Sequence, residues 1–227
     1  MRIIIAQHVG FCPGVKRAYA MAEKALESAA SPVYLLGDLV HNHQAVQMLE
    51  ERGAHRVDTI EEIPSRVTVV TRSHGLEKTT HEVLLEKGCT IVDTTCPRVK
   101  KVHLLTSQLE KEGFTIIILG DPKHSEIKSL VSELERSPVI LSKDPVTWEH
   151  EIGSIPFSQR CVVVEQTTFP RTLMERFCSF LHSSPRSDFC TIRDTLCPET
   201  EYRQKELVAH IQEGKIDTII ILGGKHS

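Results

Sequence analysis

Apolar and polar positions follow two alternating periods along the chain, and these predict strands followed by helices. Short apolar runs of strand length recur, each closed by glycine or polar residues, at 34–37, 67–70, 115–120, 161–164 and 218–223. Between them, apolar residues recur every three or four positions, as on one face of a helix. Continuous apolar strands joined by helices are typical of parallel sheets covered on their faces. The pattern therefore predicts an α/β fold.

This pattern repeats around a Cys-Pro pair. Cys12, Cys96 and Cys197 are each followed by proline, and the octapeptides that end at the last two share six of eight residues. The hexapeptides 115–120 and 218–223 are identical. A histidine follows each cysteine after 29, 28 and 29 residues, at His41, His124 and His226. Such self-similarity predicts three pseudo-symmetric α/β units around a common centre.

The repeat also sets the expected domain boundaries. Residues 13–96 form the first unit, 97–196 the second, and 1–12 together with 197–227 the third, in which an N-terminal strand at 2–6 would pair. Compared with the other copies, the third lacks its second strand and final helix, roughly 60 residues. We therefore expect an incomplete third unit with an uncovered sheet edge, and a truncated chain that is inactive alone.

The three Cys-Pro corners predict an iron–sulfur cluster. Proline favours the first position of a helix, so each cysteine is expected at the N-cap, where free N–H groups and the helix dipole favour a thiolate. Structural zinc prefers four ligands, whereas a [4Fe-4S] cluster with three cysteines keeps one iron open. Ordinary buried cysteines at helix caps are the alternative, and core packing is the interpretation for Cys89, Cys161, Cys178 and Cys190.

Polar residues at the other strand ends are expected to face the same cavity. The imidazoles of His41, His74 and His124 suit the oxygens of a diphosphate, and would also suit a carboxylate. Glu126 would have a raised pKa in a shielded cavity and could donate a proton, although the helix dipole equally explains a glutamate there. Thr167 is a weaker candidate for binding a substrate hydroxyl or orienting Glu126.

Composition narrows the classes of partner. A net charge of −3 provides no basic field for nucleic acid or an acidic membrane surface. No apolar run approaches the roughly 20 residues of a membrane span, and the first residues lack the features of a secretory signal. We expect a cytoplasmic protein in which the cysteines are free, metal-bound or catalytic rather than disulfide-linked.

The motifs together resemble the LytB-type family of 4-hydroxy-3-methylbut-2-enyl diphosphate reductases, over essentially the whole chain. They are Gly10-Phe11-Cys12-Pro13-Gly14-Val15, Gly37-Asp38 with His41-Asn42, Ser73-His74-Gly75, Thr94-Thr95-Cys96-Pro97, His124-Ser125-Glu126, Gln166-Thr167-Thr168 and Asp194-Thr195-Leu196-Cys197.

The resemblance implies roles for the residues that the repeat singles out. By this resemblance, the cluster ligands are Cys12, Cys96 and Cys197. The proton-delivering residue is Glu126. The substrate-binding residues are His41, His74, His124, Thr167 and Ser227. The implied reaction removes the allylic hydroxyl at the open iron and yields isopentenyl and dimethylallyl diphosphate, the last step of the methylerythritol phosphate pathway. Its electrons would come from a partner such as ferredoxin or flavodoxin.

Two alternatives stay open at this point. A quinolinate-synthase-like enzyme also has three α/β units and three cysteines around a cluster, but its carboxylate substrates favour arginine over histidine donors. A non-enzymatic protein that binds zinc or a cluster would need neither a buried Glu126 nor an open iron.

Overall fold

A computed structural model of the chain describes residues 3–141, 143–153, 155, 159–185, 187–214 and 216–222. These residues form two compact units. The first contains the described residues of Met1–Ser73, Thr80–Cys96 and Pro198–Ser227, and the second contains His74–Thr79 and those of Pro97–Cys197.

The chain up to Cys96 forms a four-stranded parallel sheet with helices. Its elements are α1 (Pro13–Ser28), β1 (Val33–Leu36), α2 (His43–Glu51), β2 (His55–Val57), β3 (Thr68–Val70), α3 (Lys78–Glu86) and β4 (Thr90–Val92). The strand order is β2-β1-β3-β4, with every neighbouring pair parallel. Small residues of α1, Ala18 and Ala22, pack with Leu35, Leu49 and Val70, so this helix lies close against the core of its unit.

The second sheet repeats this arrangement. Its elements are α4 (Pro97–Lys111), β5 (Thr115–Leu119), α5 (Ser125–Ser132), β6 (Val139–Leu141), α6 (Trp148–Gly153), β7 (Cys161–Glu165), α7 (Arg171–Ser183) and β8 (Cys190–Ile192), followed by α8 (Pro198–Gln212). The order β6-β5-β7-β8 is again parallel throughout and matches the first sheet strand for strand. The predicted α/β class with parallel sheets is confirmed.

Both faces of the second sheet are buried, because alternate residues of a strand point to opposite faces. On one face Val163 packs with Trp148 of α6 and Phe177 of α7. On the other, Val162 and Val164 pack with residues of α4 and α5. A strand covered on both sides reads as an uninterrupted apolar run, as β5 and β7 do.

The helices begin where the Cys-Pro pairs predicted. α1, α4 and α8 start at Pro13, Pro97 and Pro198, each directly after one of the three cysteines. The missing N–H of proline costs nothing at this position, since the first N–H groups of a helix have no partner within it. The prediction of these helix starts is confirmed.

The strands expected at 2–6 and 218–223 differ from the structure. Their described parts, 3–6 and 218–222, are not in strands, and Ile3, Ile5, Ile220 and Leu222 are exposed. A strand needs a hydrogen-bonded neighbour, and among the described residues no strand pairs with either segment. The division into three units, 13–96, 97–196 and 1–12 with 197–227, stays a prediction.

The burial of β7 predicts a matched pair of stability effects. Val163 is 0% exposed and Val146 is 86% exposed. We expect Val163→Ala to lower the free energy of unfolding by about 2 kcal/mol, through lost burial and the cavity left behind. The control Val146→Ala should change it by less than about 0.5 kcal/mol. Urea unfolding followed by circular dichroism measures both, and equal effects would contradict the described burial.

Candidate active site

Two of the predicted ligand cysteines lie in the first unit. Cys12 occupies the N-cap of α1, where its Sγ accepts the N–H of Val15 at 3.5 Å. Cys96 precedes α4, and its backbone N–H donates to the carbonyl of Ser73 at 2.9 Å. Each of these cysteines lies directly before a helix, and neither is fully buried.

The two sulfur atoms border one small space, which Gly14 leaves open. A Cβ atom at Gly14 would lie 2.7 Å from Sγ of Cys96 and 3.8 Å from Sγ of Cys12. Any larger residue at position 14 would therefore come into steric conflict with the Cys96 thiol and contact that of Cys12. Two thiols that converge beside a position without a side chain suit a group that both can bind, and two sulfur donors favour an iron–sulfur cluster or another thiophilic metal group.

The Cys96 corner is held by α1. The guanidinium of Arg17 donates to the carbonyl of Thr95 at 3.2 Å and to that of Thr94 at 3.5 Å. Asp93 accepts the backbone N–H of Thr95 at 2.9 Å. These bonds fix the segment that carries Cys96 relative to the helix that Cys12 caps.

Cys197 lies in the second unit at a corner of the same design. Its backbone N–H donates to the carbonyl of Thr167 at 2.7 Å, as that of Cys96 does to Ser73. The predicted repeat of the ligand corners is thus present in the backbone hydrogen bonds. Thr167 lies just after the end of β7. It follows Gln166, whose side-chain oxygen accepts the N–H of Asp121 at 3.1 Å.

The histidines divide between the units. His41 follows β1 in the first unit and precedes Asn42, the N-cap of α2. In the second unit, the rings of His74 and His124 meet edge to face with centroids 5.3 Å apart. Nδ1 of His124 accepts the N–H of Glu126 at 3.1 Å, so the ring carries its proton on Nε2 and this nitrogen is a donor.

Glu126 is a buried carboxyl paired with Thr167. It is 3% exposed. Its Oε1 accepts the backbone N–H of Thr167 at 2.6 Å, and its Oε2 accepts the hydroxyl of the same residue at 2.8 Å. Burial raises the pKa of Glu126, and the two Thr167 hydrogen bonds only partly oppose this. Glu126 and Thr167, two of the predicted site residues, are thus in direct contact.

A second buried carboxyl, Glu165, was missed by sequence reasoning. It ends β7 and is fully buried, and this burial raises its pKa to about 7 although hydrogen bonds from Thr195 lower it. The available signal was a charged residue that closes the apolar run 161–164. Gly14 was also missed as a spacer, although it lies within the Cys-Pro-Gly motif.

Two further predictions concern residues outside the described part of the chain. The proposed substrate-binding residue Ser227 and the repeat histidine His226 both lie beyond residue 222. Among the described residues, no helix is both long and apolar enough to cross a membrane.

Comparison with known proteins gives a consistent result over the full chain. The family model for LytB protein matches residues 3–227. The 4-hydroxy-3-methylbut-2-enyl diphosphate reductase of Clostridioides difficile (strain 630) is 37% identical over 227 residues, which are 100% of this chain and 79% of the relative. The enzyme of the same name from Caldanaerobacter subterraneus subsp. tengcongensis is 34% identical over 230 residues, with 100% and 77% coverage.

Solved structures agree with these relatives. A structure of (E)-4-hydroxy-3-methyl-but-2-enyl diphosphate reductase, described as the terminal enzyme of the non-mevalonate pathway, matches with a TM-score of 0.79 and 32% identity, over 99% of this chain and 78% of that one. The E-1-hydroxy-2-methyl-but-2-enyl-4-diphosphate reductase from Plasmodium falciparum matches with a TM-score of 0.81 and 25% identity, over 90% and 63%.

The raised pKa of Glu165 predicts a pH-dependent stability. The native protein holds a proton on this carboxyl up to about pH 7, whereas the unfolded chain releases it near its ordinary value of 4.5. The free energy of unfolding should therefore fall as pH rises from about 4.5 to about 7, by up to about 3 kcal/mol from this group.

Glu165→Gln removes this titration and serves as the matched comparison. Denaturant unfolding of both proteins between pH 4.5 and 8 should show the variant gaining stability over the parent as pH rises. Parallel curves across this range would show that Glu165 has an ordinary pKa.

Proposed function

The chain belongs to the LytB protein family, and we propose that it acts as a 4-hydroxy-3-methylbut-2-enyl diphosphate reductase with its reaction centre at Cys12, Cys96 and Cys197. The observation that carries this assignment in the structure is the convergence of the Cys12 and Cys96 sulfurs on the space beside Gly14. The family match removes the quinolinate-synthase-like and non-enzymatic alternatives.

The three cysteines would hold one [4Fe-4S] cluster. The first two thiols fit such a group because both border one open space, and Cys197 is placed by the same type of backbone hydrogen bond as Cys96. When bound, the cluster supplies electrons singly and an open iron that polarises the oxygen to be removed. Three thiolates leave that fourth position available, whereas four would not.

The histidines would bind the diphosphate. His124 presents Nε2–H as a donor, because its Nδ1 accepts the N–H of Glu126. His74 lies against it, and His41 follows β1 in the other unit at the position that the repeat predicts. Imidazole N–H groups suit phosphate oxygens, and gain an attractive charge when they are protonated. Ser227 would add a hydroxyl to this set.

Glu126 would hold the proton that leaves with the substrate hydroxyl as water. Its Oε1 faces a backbone N–H, which can only donate, so the proton belongs on Oε2. The Thr167 hydroxyl donates to Oε2 when Glu126 is ionised. When Glu126 is protonated, this bond would reverse, so that Thr167 accepts the proton and passes its own onward. The raised pKa of Glu126 keeps the carboxyl protonated at a higher pH than an exposed glutamate.

The overall reaction consumes two electrons and two protons per allylic alcohol, and gives isopentenyl or dimethylallyl diphosphate with one water. We propose ferredoxin or flavodoxin as the electron donor and the cytoplasm as the compartment.

The ligand assignment predicts different effects of otherwise identical substitutions. In protein prepared without oxygen, Cys12→Ser, Cys96→Ser and Cys197→Ser should each lower iron affinity by at least about tenfold, since a hydroxyl replaces the thiolate. The control Cys161→Ser removes a thiol packed in the core of the second sheet and should leave the iron content unchanged. Iron and acid-labile sulfide analysis measures this, and equal loss in all four variants would refute the assignment.

The role of Glu126 predicts a loss of turnover without loss of the cluster. Glu126→Gln keeps the size of the side chain and its contact with Thr167 but removes the transferable proton. In a full-length version of the protein, we expect turnover to fall by about 10²–10⁴-fold with unchanged iron content. The exposed control Glu86→Gln should keep full activity. If Glu126→Gln turned over normally in a reductant-coupled assay, another group would deliver the proton.

A further inference from the structure

The segments that precede two of the proposed ligands, Cys96 and Cys197, are each fastened by hydrogen bonds to the end of a neighbouring strand. In the first unit this fastening uses two threonines. The backbone N–H of Thr94 donates to Oγ1 of Thr71 at 3.2 Å, and the hydroxyl of Thr94 donates to the carbonyl of Thr71 at 2.6 Å. Thr94 is two residues before Cys96, so these bonds limit how far the ligand corner can move.

The second unit has the same hydrogen bonds, but a different side chain accepts the threonine N–H. The backbone N–H of Thr195 donates to Oε2 of Glu165 at 2.8 Å, and the Thr195 hydroxyl lies 2.7 Å from the carbonyl of Glu165. The backbone N–H of Glu165 in turn donates to that hydroxyl at 2.7 Å. Thr195 is two residues before Cys197, as Thr94 is before Cys96, so Glu165 stands where the first unit has Thr71.

The backbone bonds of the cysteines confirm this correspondence. Cys96 donates to the carbonyl of Ser73, two residues after Thr71, and Cys197 donates to that of Thr167, two residues after Glu165. The corners therefore share one hydrogen-bonding scheme, and they differ at the residue whose side chain accepts the threonine N–H.

A carboxyl at this place is unfavourable in itself. Glu165 is fully buried, and its Oε1 has no hydrogen-bond partner among the described residues. Burying a carboxyl without full hydrogen bonding is costly, so its presence is not explained by packing alone. Its side-chain hydrogen bonds within the described part of the chain all go to Thr195.

We propose that Glu165 is a positioning residue that holds the Cys197 corner, and through it the third thiol, in the geometry that binds the cluster. This inference rests on the proposed ligand role of Cys197. The carboxyl does not contact iron or substrate. It fixes the backbone of Thr195, so that less conformational freedom is lost when Cys197 binds.

Three variants of the full chain test this role. Glu165→Ala removes the acceptor, Glu165→Thr installs the residue that performs the same task in the first unit, and Glu165→Gln keeps an acceptor oxygen without the charge. Circular dichroism shows whether each variant is folded. If the alanine variant is not folded, the threonine and glutamine variants still provide the test.

Two measurements distinguish positioning from general destabilisation. The first is amide hydrogen exchange across 190–197 in the metal-free protein. The second is the rate at which the loaded protein releases iron to a chelator. Loss of one hydrogen bond to a buried carboxyl should speed both by about tenfold in Glu165→Ala. Glu165→Thr and Glu165→Gln should stay within about threefold of the parent, because each restores an acceptor for the Thr195 N–H.

The outcomes separate this inference from the ligand assignment. If Glu165→Ala exchanges and releases iron as the parent does, or if Glu165→Thr behaves like Glu165→Ala, the positioning role is wrong. Faster exchange with unchanged iron release would also overturn it. If instead Cys197→Ser retains a full complement of iron, the proposed ligand role itself fails, whatever the Glu165 variants do.

Discussion

The backbone hydrogen bond between a proposed ligand cysteine and the end of the neighbouring strand is the contact on which two corners of the candidate site depend. Cys96 donates to Ser73 in one unit and Cys197 donates to Thr167 in the other. This bond fixes the point where the chain leaves one strand end and enters a helix that starts with proline. At Cys12 the helix start also contacts the thiol itself, since the N–H of Val15 donates to Sγ of Cys12. The positions of the Cys96 and Cys197 corners thus follow from one local geometry.

Much of the fold could be predicted from sequence because its signals are local. The apolar runs, the helical periodicity and the Cys-Pro pairs each act within a few residues, and they predicted the parallel sheets and the starts of α1, α4 and α8. Strand pairing is not local. The hexapeptide 115–120 supplies the buried strand β5, whereas the described part of its identical copy, 218–222, is not a strand. The same side chains adopt different structures because a strand also requires a neighbour.

The site shows the same division between local and long-range information. Candidates for diphosphate binding and proton transfer could be proposed from strand ends, since parallel strands end at one edge of a sheet. The pairing of Glu126 with both the N–H and the hydroxyl of Thr167 could not, because the two residues are far apart in the chain. Glu165 was missed for a related reason: its burial depends on helices that cover the sheet, and a charged residue at a strand end is ordinarily solvated.

Gly14 lies beside the two thiols and has no side chain, and this has a consequence for mutation of the gene. Every missense change in the codon for Gly14 adds atoms to the space that Sγ of Cys96 and Cys12 border. Even alanine would bring its Cβ to 2.7 Å from Sγ of Cys96, so that sulfur or the helix start would have to shift. A change at this codon would therefore displace a proposed ligand sulfur in a gene that still encodes every cysteine.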